Sequence, residues 1–141
     1  SAAARAAFAR PRPRVDEARW LAGVAQLHAL IDLSDGLVGD AGHVAAASGA
    51  QLHLEAGRVP VHDGAAGARG LDLALSGGED YELLAVVPAG ALDRHVEAFG
   101  ARFDLPLTRV GRVEAGPAGV WVDGRPWKGG FDHFDTGREE R

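Results

Sequence analysis

Cysteine is absent from this 141-residue chain. That removes disulfide frameworks, thiolate-held zinc or iron–sulfur centres and thiol nucleophiles together. No apolar run approaches the roughly 20 residues needed to cross a bilayer; the sequence therefore reads as soluble, with a cytoplasmic setting expected. Lysine is reduced to Lys128, and the arginine-, alanine- and glycine-rich remainder reflects a GC-rich coding background rather than a function. Acidic residues outnumber basic ones, with a net charge of −5 at pH 7. This balance counts against non-specific nucleic-acid binding and against anionic membrane surfaces, and it favours small-molecule partners. Also missing are a Gly-x-Ser-x-Gly elbow, a P-loop and a dinucleotide fingerprint. A nucleotide, if used, must be held by metal and by a second surface, and no side chain is assigned a covalent catalytic role.

What is present suits one ordinary core, with 46% hydrophobic residues at single-domain length. The opening SAAARAAFARPRPR is broken by Pro11 and Pro13 and reads as a linker over residues 1–14, as expected ahead of an excised C-terminal domain at 15–141. Trp20, Leu21, Val24 and Leu27 predict a helix over 15–30. A short strand around 30–33 is then stopped by Ser34-Asp35-Gly36, and a second helical stripe, Leu37, Val38, Ala41, Val44 and Ala45, runs to Gly49. Residues 51–55 alternate as a strand, and 57–70 read as loop with one helical turn. Residues 81–87, apolar on both faces except at Glu82, predict a central strand ended by Pro88. A helix at 91–99 and strands at 108–114 and 119–123 follow, with Asp123-Gly124 as a hairpin turn. Without repeats or heptads, this pattern predicts an α+β domain in which a mixed sheet packs with helices.

Three polar clusters could carry chemistry. In IDLSDGL, Asp32 and Ser34 alternate at a strand end while Asp35 opens the next helix, so oxygen ligands converge at one helix N-terminus. A metal-bound phosphate satisfies both the carboxylates and the helix amides. The same residues serve equally well as a helix cap at Ser34 with a dipole partner at Asp35. In SGGEDYELL, the turn Ser76-Gly77-Gly78 could present successive amides beside Glu79 and Asp80, or be an ordinary glycine turn. In GGFDHF, Phe131 and Phe134 could stack on a flat cationic ring, or tie down the chain end. Among the six histidines, His43 lies three residues after Asp40 on the second helix, a weak metal signal.

Taken in order, RPRPR at 10–14, IDLSDGLVGDAGHVAAASG at 31–49, LSGGEDYELL at 75–84 and GGFDHF at 129–134 resemble the thiamine-monophosphate kinase family. They resemble more loosely the related aminoimidazole-ribonucleotide synthetases, selenophosphate synthetases and hydrogenase-maturation dehydratases. The resemblance implies a C-terminal domain of distantly ferredoxin-like topology, packed on an N-terminal ATP-binding domain that these residues lack, in a homodimer. It implies transfer of the ATP γ-phosphoryl group to thiamine monophosphate. It further implies that Asp32 and Asp35 bind Mg²⁺, that Ser34 contacts ATP, that Glu79 binds the thiamine phosphate, and that Phe131, with Phe134 as the nearby alternative, lines its ring pocket. By the same resemblance the isolated chain lacks half of its site and is expected to be inactive. The alternatives are a sister synthetase acting on a ribonucleotide or selenide, and a non-catalytic binding or dimerisation module.

Overall fold

The computed structural model describes residues 2, 5, 9–61, 67–77 and 81–128. Helix α1, Val15–Val24, carries Asp16 and Glu17 in its first turn, where the helix dipole favours them. It ends a turn and a half before the predicted limit. From His28 onward the backbone finds partners on another strand, with the His28 amide donating to the Val86 carbonyl at 2.8 Å. The apolar stripe extends too far in the sequence because β1, Ala29–Asp32, follows the helix with its own apolar residues.

Strand β1 pairs antiparallel with β3, Leu83–Val86, in the register Ala29↔Val86 to Asp32↔Leu83. Among the described residues this is a two-stranded sheet, so β3 is not the central strand its composition predicts. Leu84 instead packs into the core, and the strand borders a cleft of about 840 Å³ also lined by Leu105 and Val110. Between β1 and β3 the chain forms α2, Leu37–Ser48, ended by left-handed Gly49, then β2, Ala50–Leu54. After a 3-10 turn at Ala56–Arg58 comes α3, Ala68–Ser76. This third helix falls where a loop is expected to be ending. Its signal was Leu71, Ala74 and Leu75 at helical spacing, of which Leu75 is buried.

Beyond β3, a 3-10 turn at Leu92–Arg94 leads into α4, Val96–Phe103. Trp20 of α1 meets the rings of Phe99 and Phe103 edge-on, at 5.7 and 6.1 Å. Strands β4, Gly111–Ala115, β5, Gly119–Val122, and β6, Arg125–Pro126, join β2 in a mixed sheet of order β4-β2-β5-β6. β2 runs antiparallel to β4 and parallel to β5. Asp123 and Gly124 both adopt positive φ in the β5–β6 turn, the backbone handedness that two-residue hairpins require. The core forms where α2 lays Leu37, Val38, Ala41, Val44 and Ala45 against Leu52, Leu54, Leu75, Leu84 and Val120. Each buried Leu or Val contributes about 1.5–3 kcal/mol, which outweighs the roughly 1 kcal/mol that Gly39 or Gly42 costs within the helix. The α+β class with a mixed sheet is therefore as the sequence predicts, and no helix among the described residues is long and apolar enough to cross a membrane.

Candidate functional site

The bend that leaves β1 is held by a buried side chain. Asp40, in the first turn of α2, is 1% exposed. Its Oδ2 accepts the backbone amides of Ser34 at 2.8 Å and Asp35 at 3.0 Å. Hydrogen bonds to an ionised acceptor are the stronger kind, and here they fold residues 33–36 back over the helix start. The N-cap of α2 is Gly36, and no side chain caps the helix. Ser34 therefore does not serve as the cap that the sequence also allowed. Asp32, Ser34 and Asp35 are all left exposed on one bend.

Gly36 has φ 94° and ψ 157°, a backbone region open essentially to glycine. A Cβ there would lie 2.8 Å from the Ser76 carbonyl carbon and 3.0 Å from the Gly77 oxygen. The Asp32–Gly36 bend thus presses, backbone to backbone, on the end of α3. Gly77 is in turn packed against the Leu73 carbonyl, which accepts its amide at 2.7 Å. On the other side of the second cluster, the Tyr81 amide donates to the Leu33 carbonyl at 3.1 Å, and the Leu33 amide to the Glu82 carbonyl at 2.7 Å. Both described flanks of the SGGED run, Gly77 and Tyr81, are therefore attached to the Asp32–Gly36 bend. Glu79 itself, and Phe131 and Phe134 of the third cluster, lie outside the described residues.

His43 Nε2 approaches Asp35 Oδ2 at 3.2 Å, with both side chains about two-thirds exposed (65% and 66%). Ligand atoms of Asp35, Asp40 and His43 lie within 4.8 Å of one another. Asp40 and His43, at i and i+3 on α2, thus come together as the spacing allows, with Asp35 as a third member: His43 Nε2 bonds to Asp35, and Asp40 Oδ2 is taken by two amides. Asp32 and Asp35 offer exposed carboxylate oxygens, the hard donors that Mg²⁺ takes, and Asp35 uses one oxygen on His43 while carrying a second. The donor set fits a magnesium-bound phosphate.

A cleft of about 340 Å³ opens beside Asp32, walled by Arg14, Arg19, Tyr81 and Leu83. Arg14, the last residue of the segment read as linker, donates to Glu82 and to buried Glu17. Its pKa is raised above the ordinary arginine value, chiefly by the Glu82 hydrogen bond. Sequence reasoning assigned no role to Arg14 or to Gly36, and saw in Asp40 no more than a weak ligand.

Residues 2–123 match the family model described as AIR synthase related protein, C-terminal domain, and the chain belongs to that family. Within it, the chain is similar to thiamine-monophosphate kinases. It is 40% identical to the one from Salmonella typhimurium over 144 residues, covering 90% of this chain and 41% of that protein. The crystal structure of thiamine-monophosphate kinase from Stenotrophomonas maltophilia K279a superposes with a TM-score of 0.73 at 39% identity, over 82% of this chain and 37% of that one. A solved complex of AaThiL with AMPPCP and TMP gives a TM-score of 0.65 at 32% identity, over 84% and 38% of the two chains. The chain spans about two fifths of the length of the curated relatives it matches.

Proposed function

We propose that this chain is the C-terminal domain of a soluble, cytoplasmic thiamine-monophosphate kinase. That enzyme transfers the γ-phosphoryl group of ATP to the phosphate of thiamine monophosphate, giving thiamine diphosphate and ADP. The observation that carries the reading is the backbone contact of Gly36 with Ser76 and Gly77, which sets the described start of the second cluster against the Asp32–Gly36 bend. It is supported by the thiamine-monophosphate kinases among the relatives and by the AaThiL complex, which holds an ATP analogue together with TMP.

In this reading Asp32 and Asp35 would hold Mg²⁺, which supplies charge neutralisation between the two phosphates when bound. Asp40 keeps the Ser34 and Asp35 amides turned inward, so that the neighbouring carboxylates point to solvent and to ligand. Ser34 contacts ATP through its exposed side chain. Glu79 accepts a hydrogen bond from the aminopyrimidine of the acceptor, and Phe131 stacks on its rings. The remaining acidic ligands and the nucleotide cradle belong to an N-terminal domain packed on this one, in a homodimer. The work asked of these residues is positioning and electrostatics, with no covalent intermediate on the protein.

In the longer protein, Asp32→Asn and Asp35→Asn each lower kcat/KM for thiamine monophosphate at saturating ATP by at least tenfold, or about 1.4 kcal/mol. The chain of 141 residues turns over no ATP alone. Activity within twofold of wild type in both variants, or turnover by the chain alone, contradicts the assignment.

A further inference from the structure

At the start of α2, Gly36, Gly39, Asp40 and His43 follow the i, i+3, i+4, i+7 spacing of one helix face. Asp35 folds back onto that face and is held there at three points. Its amide donates to Asp40 Oδ2 at 3.0 Å. Its Cβ lies over Gly39, where an added Cβ would come within 3.2 Å of it. Its Oδ2 lies 3.2 Å from His43 Nε2. An ionised carboxylate only accepts, so the imidazole donates from Nε2.

The three contacts fix the backbone, the Cβ and one carboxylate oxygen of the same residue. An ion pair as exposed as His43–Asp35, at 65% and 66%, adds little to stability, because ordering two side chains offsets their attraction. Here Asp40 and the bare backbone of Gly39 have already ordered the base of the Asp35 side chain. What His43 adds is orientation. With Oδ2 engaged, the carboxylate no longer rotates freely, and Oδ1 is the oxygen left for a cation. Alanine at position 39 would be the better helix former, so the glycine weakens α2 and leaves the space in which Asp35 sits.

We propose that His43 and Gly39 are positioning residues for a divalent cation on Asp35: together they hold its carboxylate with one oxygen turned outward before the metal arrives. The inference rests on the reading of Asp35 as a Mg²⁺ ligand.

The test uses the full-length enzyme with Mn²⁺ as the probe for Mg²⁺, and counts bound metal in the absence of turnover from the electron paramagnetic resonance signal of the free ion. His43→Ala weakens Mn²⁺ binding about fivefold or more, somewhat less than a buried outer partner of a metal ligand because this one is exposed. His43→Gln, whose side-chain amide donates from the same reach, stays within about twofold of wild type. Gly39→Ala weakens binding about as much as His43→Ala, with Tm unchanged or raised. In steady-state assays both losses appear as a higher apparent KM for Mg²⁺, with kcat at saturating Mg²⁺ within about twofold of wild type. Wild-type Mn²⁺ binding in either alanine variant, with binding by Asp35→Asn impaired, overturns the proposal for that residue. Binding as weak in His43→Gln as in His43→Ala makes His43 a direct ligand, which also overturns its positioning role. A lowered Tm in both alanine variants, with kcat not restored by Mg²⁺, assigns the two residues to general stability and overturns the proposal as well. Wild-type binding by Asp35→Asn removes instead the reading of Asp35 as a metal ligand.

Discussion

Replacing Asp40 by alanine removes a carboxylate that is 1% exposed and that accepts two backbone amides, at 2.8 and 3.0 Å. A hydrogen bond to an ionised group is worth about 1.5–3 kcal/mol, so the pair sets a range of about 3–6 kcal/mol. Two effects favour the lower end. Ser34 and Asp35 are exposed, so their amides can regain water once the carboxylate is gone, and the variant recovers the cost of desolvating the carboxylate. The expected loss is about 3 kcal/mol, or roughly 9 °C in Tm for a chain of this length. Asp40→Asn keeps an acceptor oxygen of the same shape and gives up only the charge, which costs about 1–1.5 kcal/mol. Urea denaturation of the chain at pH 7, followed by far-UV circular dichroism, measures both, and an unchanged m-value assigns the loss to stability rather than to a different unfolded state. An alanine variant within 1 kcal/mol of wild type, about a third of the expected loss, would mean that the bend holds itself without Asp40. An asparagine variant as damaging as alanine would mean that charge, not acceptor geometry, is what matters.

The contact between the two clusters has its own test. Gly36→Ala meets both the glycine-only dihedrals, at about 1–3 kcal/mol, and the Ser76–Gly77 backbone, so a loss of about 2–4 kcal/mol in urea denaturation is expected; a neutral result breaks the link between the clusters. On β4, the Glu114 carboxyl is held below its ordinary value of 4.5, first by the hydrogen bond from Arg112. Its contribution to stability is therefore complete above pH 4.5 and is lost as pH falls through the lower folded value. Acid titration of Glu114→Gln should show a shallower decline below that pH than wild type, and parallel curves would contradict the assignment. Trp20→Ala removes the ring that α1 packs on Phe99 and Phe103 and is expected to cost about 2–3 kcal/mol, less than a fully buried tryptophan because Trp20 is only partly covered. Equilibrium denaturation checks it, and a loss below 1 kcal/mol, far short of the range expected for such a truncation, would mean that α1 is held elsewhere.

Much of the fold was legible before any coordinates. The stripe from Leu37 to Ala45 with Gly49 after it could be little other than a core helix, because five apolar residues on one face have to be covered. The Asp123-Gly124 turn was equally plain, since few dipeptides accept two positive φ angles. Errors fell where an apolar pattern outlasted its element, as at the end of α1, or where glycines drew attention from three apolar residues, as at α3. The run at 81–87, apolar on both faces except at Glu82, suggested a central strand, whereas β3 starts after Glu82 and pairs, among the described residues, with β1 alone.

For the site, the sequence by itself determined which oxygen-bearing residues exist, their order, and the family they resemble. It left open whether Asp32, Ser34 and Asp35 were a helix cap or a ligand surface. The tertiary structure decided against the cap, because Gly36 takes that position and Asp40 takes the amides. It also decided that the first two clusters meet, through the backbones of Gly36, Ser76 and Gly77. A contact between backbones involves no side chain and leaves no trace in composition or spacing. An aspartate in the first turn of a helix reads the same in sequence whether it faces water or holds a loop, and burial alone tells the two apart.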